Sequence, residues 1–244
     1  MYLSINSNYV KKYKMINKIK YSDHFDPYFL LLAIFSSCLV IAQFLAAKLI
    51  KLDIPSVGVL VFPSGILAYG VTFLCTDVIS EVWGKKRASI TVFCGLLAVV
   101  TSLILIKLSM ALPAKPGWMM TEPFNEISSM IVRVTFGSIA AYLVSQYHDV
   151  FMFHFLKKAT KGRFLWLRNN ISTILSQLLD TVIFVVIAFY GKIDMAGLIA
   201  LITGQFFVKI VIAMFDTPFV YLLVKLIRKH IHKQEILEAA IDPQ

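Results

Sequence analysis

Five polar side chains in one apolar run give this chain its most informative chemistry. Asn170, Thr173, Gln177, Asp180 and Thr181 lie within residues 168–190, RNNISTILSQLLDTVIFVVIAFY, a stretch long enough to cross a bilayer. At about 100° per residue these five, with Phe184, fall within a third of a helix circumference. A carboxylate in hydrocarbon costs on the order of 2.5–3.5 kcal/mol on insertion scales. The stripe therefore has to face protein, water or a ligand rather than lipid. Asp180, roughly 12 residues into its helix, sits near mid-bilayer by the rise of a helix.

Other apolar runs carry Gln43, Asp77, Arg133, Gln146, Asp149, Lys209 and Asp216. Intramembrane charges usually pair or line a watery path, and two cations do not neutralise four aspartates. For Asp180 with Gln177, the structural reading is a helix–helix hydrogen bond or a salt bridge to Lys209. The functional reading, which we favour, is a ligand or proton role. Lys209 and Asp216 read equally well as a structural pair. Arg133 reads as a clamp within the bundle, and Asp77 with Glu81 as structural or gating groups near one exit. His148 and His154 read as solvated interfacial groups rather than proton shuttles. Tyr69, Phe73, Tyr142 and Phe184 share the polar faces, where rings pack in a core or stack on a flat ligand. Amides, carboxylates, hydroxyls and rings together suit a planar, neutral or cationic heterocycle.

Enzyme chemistry is poorly represented. HExxH, CxxC, GxSxG and a phosphate-cradling glycine loop are all absent from the sequence. Cys38, Cys75 and Cys94 lie inside apolar runs without metal-ligand spacing and read as packing residues. No cofactor is implied.

The elements that hold these residues follow from composition. The 244 residues are 58% apolar, with a mean hydropathy of +0.76, as in a polytopic membrane protein. At roughly 20 residues per span, at most about six or seven crossings fit. We expect an all-α bundle of six transmembrane helices. The helices fall at about 27–50, 57–80, 88–112, 128–156, 168–190 and 196–228, the ends marked by polar or proline-bearing links. KLDIPS reads as a short link after the first helix, and Pro63-Ser64-Gly65 as a kink inside the second. On that helix Thr72, Thr76 and Ser80 share a face with Tyr69 and Phe73, with Asp77 at its edge. The third helix is the least polar and the candidate for most lipid exposure; its Thr91, Thr101 and Ser102 bond their own backbone. Residues 113–129 suit an outer loop with an interfacial Trp118 and room for a short surface helix. On the fourth helix Ser138, Tyr142, Ser145, Gln146, Asp149 and Phe153 share one face. Arg133, Gly137 and Ala141 share the opposite one, suited to close helix packing. On the sixth, Gln205, Lys209, Ile212 and Asp216 align, and Pro218 predicts a kink.

The net charge of +10 is distributed as the positive-inside rule requires, not as a nucleic-acid patch. Seventeen Lys/Arg fall in residues 1–26, 85–87, 157–168 and 225–233, against five in the alternate segments. That places both termini in the cytoplasm, with residues 1–26 a basic tail, 27–228 the membrane domain and 229–244 a second tail.

Several segments together resemble the queuosine precursor transporter family, also called a vitamin uptake transporter group and formerly a domain of unknown function. They are TDVISEVWGKKRA (76–88), RVTFGSIAAYLVSQYHDVFMFHFLKK (133–158), WLRNNISTILSQLLDTVIFVVIAFYG (166–191) and the Lys209 to Asp216-Thr217-Pro218 run. The resemblance implies a six-helix importer in the bacterial inner membrane. Its cargo would be a precursor of the tRNA base queuosine: 7-cyano-7-deazaguanine, 7-aminomethyl-7-deazaguanine or queuine. The family's polar positions match Asp77, Glu81, Arg133, Gln146, Asp149, Asn170, Gln177, Asp180 and Lys209. Our expected substrate contacts are Gln177, Asp180, Asn170, Gln146, Asp149, Tyr142, Phe184, Thr76, Asp77 and Lys209. Arg133, Glu81 and Asp216 are expected to be structural or gating. Within that set, Gln177 and Asp180 are expected to meet a guanine-like edge, the carboxylate accepting from N1–H and the 2-amino group. The partners are lipid and a small 7-deazapurine. The sequence leaves open self-sufficient transport, an energising ATPase module and a homo-oligomer. It carries no Walker motif of its own. A membrane-embedded enzyme and a non-transporting scaffold are the competing classes.

Overall fold

The computed structural model describes residues 26–55, 58–160 and 165–241. In chain order its elements are α1 (Pro27–Leu45), the strands β1 (Leu49–Ile54) and β2 (Gly58–Pro63), α2 (Ile66–Trp83), α3 (Lys85–Ala111), α4 (Thr121–Ala159), α5 (Leu165–Phe189) and α6 (Met195–Ile241). Five helices, α1 to α4 and α6, are long and apolar enough to cross a membrane, and α5 holds a shorter apolar run, Ile174–Phe189. Phe29, Phe93, Leu105 and Phe136 stand exposed on the outside of the bundle. Such a surface is unfavourable in water and suited to lipid tails. The fold is thus an α-helical membrane bundle.

Local chemistry sets the ends. Asp26 caps α1, accepting from the Tyr28 amide at 2.9 Å, and Pro27 occupies the first turn. The linking residues after α1 differ from expectation. β1 and β2 pair as an antiparallel hairpin, from Leu49↔Pro63 to Ile54↔Gly58, and α2 starts at Ile66 rather than near 57. GVLVFP is a short continuous apolar run, which fits strand and helix equally by periodicity; its valines and the facing LIKLDI favour pairing. Pro63-Ser64-Gly65 is the corner between strand and helix, not a kink within a helix. Ser64 ties that corner to the end of α1: its amide donates to Lys48 O at 2.8 Å and its hydroxyl to Leu45 O at 2.6 Å.

Packing organises the bundle around two apolar clusters. One gathers Ala46, Val134, Ala141, Phe184, Val185, Phe189 and Leu201 near the hairpin. The other gathers Tyr28, Phe35, Cys75, Ile79 and Val224 toward the opposite end. α4 lies closely along α5. A Cβ built at Gly137 would come within 3.2 Å of Phe184 O, so glycine there permits the close approach. α3 is peripheral: 17% of its apolar span is buried, against 39% for α4. Thr91, Thr101 and Ser102 donate to Arg87 O, Leu97 O and Val99 O within α3, and Thr91, fully buried, also meets Tyr28 OH of α1 at 3.4 Å. α4 begins at Thr121 and takes in residues 121–129 of the region read as outer loop and surface helix; residues 113–120 remain outside any helix, with Trp118 exposed among them. Pro218 lies inside α6, whose helical course continues to Ile241.

Candidate functional site

Between the helices lies a cavity of about 170 Å³. A cavity of about 150 Å³ suffices for a benzene ring. Its walls come from α1, the hairpin corner, α2, α4, α5 and α6, and α3 contributes none. The polar stripe of α5 faces inward here, presenting Gln177, Asp180 and Phe184. Ser138, Tyr142 and Ser145 approach from α4, Gln43 from α1, Tyr69 and Phe73 from α2, and Gln205 and Lys209 from α6.

The electrostatics centre on one pair. Lys209 Nζ lies 2.6 Å from Asp180 Oδ2, with the two side chains 11% and 24% exposed. The same ammonium donates to Thr181 Oγ1 at 3.3 Å, and the Thr181 hydroxyl in turn donates a hydrogen bond to Gln177 O at 2.8 Å. Ser145 Oγ donates to Asp180 Oδ1 at 3.4 Å. Among the described residues, Asp180 and Lys209 are the charged residues of the cavity wall, and their opposite charges offset each other. Opposite them, Ser138 Oγ donates to Gln43 Oε1 at 3.1 Å. Tyr69 and Phe73 supply tilted rings with centroids 6.1 Å apart. A neutral, flat ligand with donor and acceptor edges matches this wall: rings cover its faces, and amides and hydroxyls meet its rim.

A second hollow of about 430 Å³ adjoins the first, sharing Phe73, Gln177 and Lys209. It holds Asp77 and Asp216, and among the described residues neither carboxylate is in an ion pair. Along α2, α5 and α6 it lies about one to two turns farther from the hairpin than the cavity.

The structure thus brings together Tyr142, Gln177, Asp180, Phe184 and Lys209 from the expected contacts, and sets Asp77 in the adjoining hollow with Asp216. Thr76 lines neither; its hydroxyl donates to Thr72 O and Phe73 O. The side chains of Gln146, Asp149 and Asn170 lie outside the described residues, as do those of Phe153, His154 and Thr173. Lys209 pairs with Asp180 rather than Asp216. Arg133 is turned away from the cavity and donates to Tyr190 O at 2.7 Å and Ile187 O at 3.4 Å, where it covers carbonyls at the end of α5. Glu81 accepts from Arg228 at 2.8 Å, which ties α2 to α6 on an exposed face. His148 Nδ1 meets Ser176 Oγ at 2.9 Å between α4 and α5. Gln43, Tyr69, Phe73, Ser138, Ser145 and Gln205 are wall residues absent from the expected contacts. Each was visible as part of a polar face, but which faces meet is a property of packing.

A family model described as "Putative vitamin uptake transporter" matches residues 63–223, a span that carries every wall of the cavity except α1. Among curated proteins, the chain is similar to a "Probable queuosine precursor transporter" of Bacillus subtilis (strain 168). The two are 28% identical over 164 residues, covering 67% of this chain and 72% of that one. A protein of the same description from Haemophilus influenzae is 26% identical over 130 residues, 53% of each chain. No solved structure matches.

Proposed function

We propose that this chain, which belongs to the vitamin uptake transporter family, imports queuosine precursors across the inner membrane. As a member of that family it is a multi-pass membrane transporter and not an enzyme. The observation that carries the substrate reading is the near-neutral cavity itself. Four rings, three glutamines and a paired carboxylate surround a space of ring size. That wall fits the 7-deazaguanine group common to 7-cyano-7-deazaguanine, 7-aminomethyl-7-deazaguanine and queuine.

In this reading all six helices cross the membrane and both termini are cytoplasmic, as the bias of Lys/Arg supports. The cavity then lies toward the outer side, under the hairpin, and the acidic hollow lies on the path to the cytoplasm. Gln177 and Lys209 line both spaces and are positioned to hand the base from one to the other. The Asp180–Lys209 pair lets a carboxylate reside at bilayer depth and still accept from the N1–H and 2-amino edge through its remaining lone pairs.

Uptake of the three radiolabelled precursors into proteoliposomes, with and without a pH gradient, tests the proposal. Saturable uptake of at least one, competed by the others, is the expected result. Binding without uptake would assign the energy to a partner ATPase module. Absence of both binding and uptake for all three would overturn the substrate assignment.

A further inference from the structure

We infer that Gln205 recognises a ring N–H of the carried heterocycle, accepting it on the side-chain oxygen. The inference rests on the cavity being the substrate site and adds a specificity-determining residue to it.

Gln205 is 7% exposed and lines the cavity, and its Oε1 is buried without a hydrogen-bond partner among the described residues. Folded proteins seldom leave a buried carbonyl oxygen unpaired. Three other acceptor atoms of this wall already hold a donor from the protein. Gln43 Oε1 takes the Ser138 hydroxyl, Asp180 Oδ2 takes Lys209, and Asp180 Oδ1 shares the Ser145 hydroxyl with Tyr142 O. Gln205 Oε1 is therefore an acceptor on a wall residue that the protein itself leaves unfilled. Its position is also held from behind. A Cβ built at the preceding Gly204 would lie 2.1 Å from Val61 O and 2.9 Å from Val61 N. Only glycine lets α6 seat directly on β2, and this contact fixes the turn that carries Gln205. A rigidly placed, unfilled acceptor is how a site selects for a donor on its ligand. A ligand lacking that donor leaves the oxygen desolvated and is rejected. The hairpin thereby acquires a role: it is the support that aims Gln205.

The test uses the full chain in lipid nanodiscs. Binding of 7-cyano-7-deazaguanine and of its 1-methyl and 9-methyl derivatives is titrated against wild type, Gln205→Leu and Gln205→Met. Both substitutions are apolar and of similar length, so unliganded melting temperature is expected to stay level or rise as the orphan oxygen is removed. Affinity for the parent compound is expected to fall at least about tenfold in both variants. One methyl derivative is expected to bind wild type at least about tenfold more weakly than the parent, with little further loss in the variants. Wild-type affinity for the parent in both variants would overturn the inference while leaving the transport reading intact. So would a methylation penalty that multiplies with the substitution for both derivatives. Failure of wild type to bind any 7-deazaguanine would overturn the substrate assignment and this inference with it.

Discussion

Replacing Lys209 with methionine removes one charge and leaves the length of the stem. The Nζ–Oδ2 separation of 2.6 Å corresponds to about 6 kcal/mol of attraction at an effective dielectric of 20. Desolvation of two mostly buried ions offsets much of that. The net value of the pair is therefore small, but an unpaired survivor is costly, about 3–5 kcal/mol. Lys209→Met strands the Asp180 carboxylate, and Asp180→Asn strands the ammonium. At about 2–4 °C per kcal/mol for a chain of this size, taken from soluble proteins, each single variant should melt about 6–20 °C lower. The double variant Asp180→Asn with Lys209→Met leaves neither charge and should melt closer to wild type than either single one. Fluorescence-detected melting of the four proteins in one detergent gives the full cycle. If the double variant lost the sum of the two single losses, the pair would be energetically uncoupled. The neutral cavity built on it would then be refuted.

Further outcomes follow from the same geometry. Asp180→Asn should insert normally, as judged by membrane yield, and lose at least about tenfold in precursor uptake, since the amide donates where a carboxylate accepts. Gly204→Ala should lower stability by about 1–3 kcal/mol through overlap with Val61, measured by the same melting assay. Arg133→Met should cost about 1 kcal/mol, a charged hydrogen bond discounted for its partial exposure, with ligand affinity unchanged in a binding titration. Phe93→Ala on the peripheral α3 should leave both affinity and uptake at wild-type values.

Much of the site was legible because polar residues in an apolar run are few and helical periodicity groups them. Gln177, Asp180 and Phe184 fall on one arc of α5 by spacing alone, and the structure turns that arc inward. Lys209 was visible, but Asp180 and Asp216 were both plausible partners, and only the packing of α5 on α6 separates them. The hairpin was hidden because GVLVFP alternates nothing; a short apolar run reads as either element until its partner strand is known. Gln205 was seen on the face of Lys209, yet its unfilled oxygen depends on where Gln43, Ser138 and Asp180 find their own partners. Arg133 shared a helix face with Gly137 and Ala141. The carbonyls it covers at the end of α5 follow from the close contact that Gly137 permits.

Photo-crosslinking reports most directly whether a flat base occupies the cavity. Protein in proteoliposomes would be irradiated with an azido derivative of 7-deazaguanine, with and without excess unlabelled compound, and the adducts mapped by mass spectrometry. The account predicts competed labelling at cavity residues of α2, α4 and α5, namely Tyr69, Phe73, Tyr142 and Phe184, and none on α3. Competed labelling confined to α3 or to the exposed outer face, with the cavity residues unmarked, would contradict it.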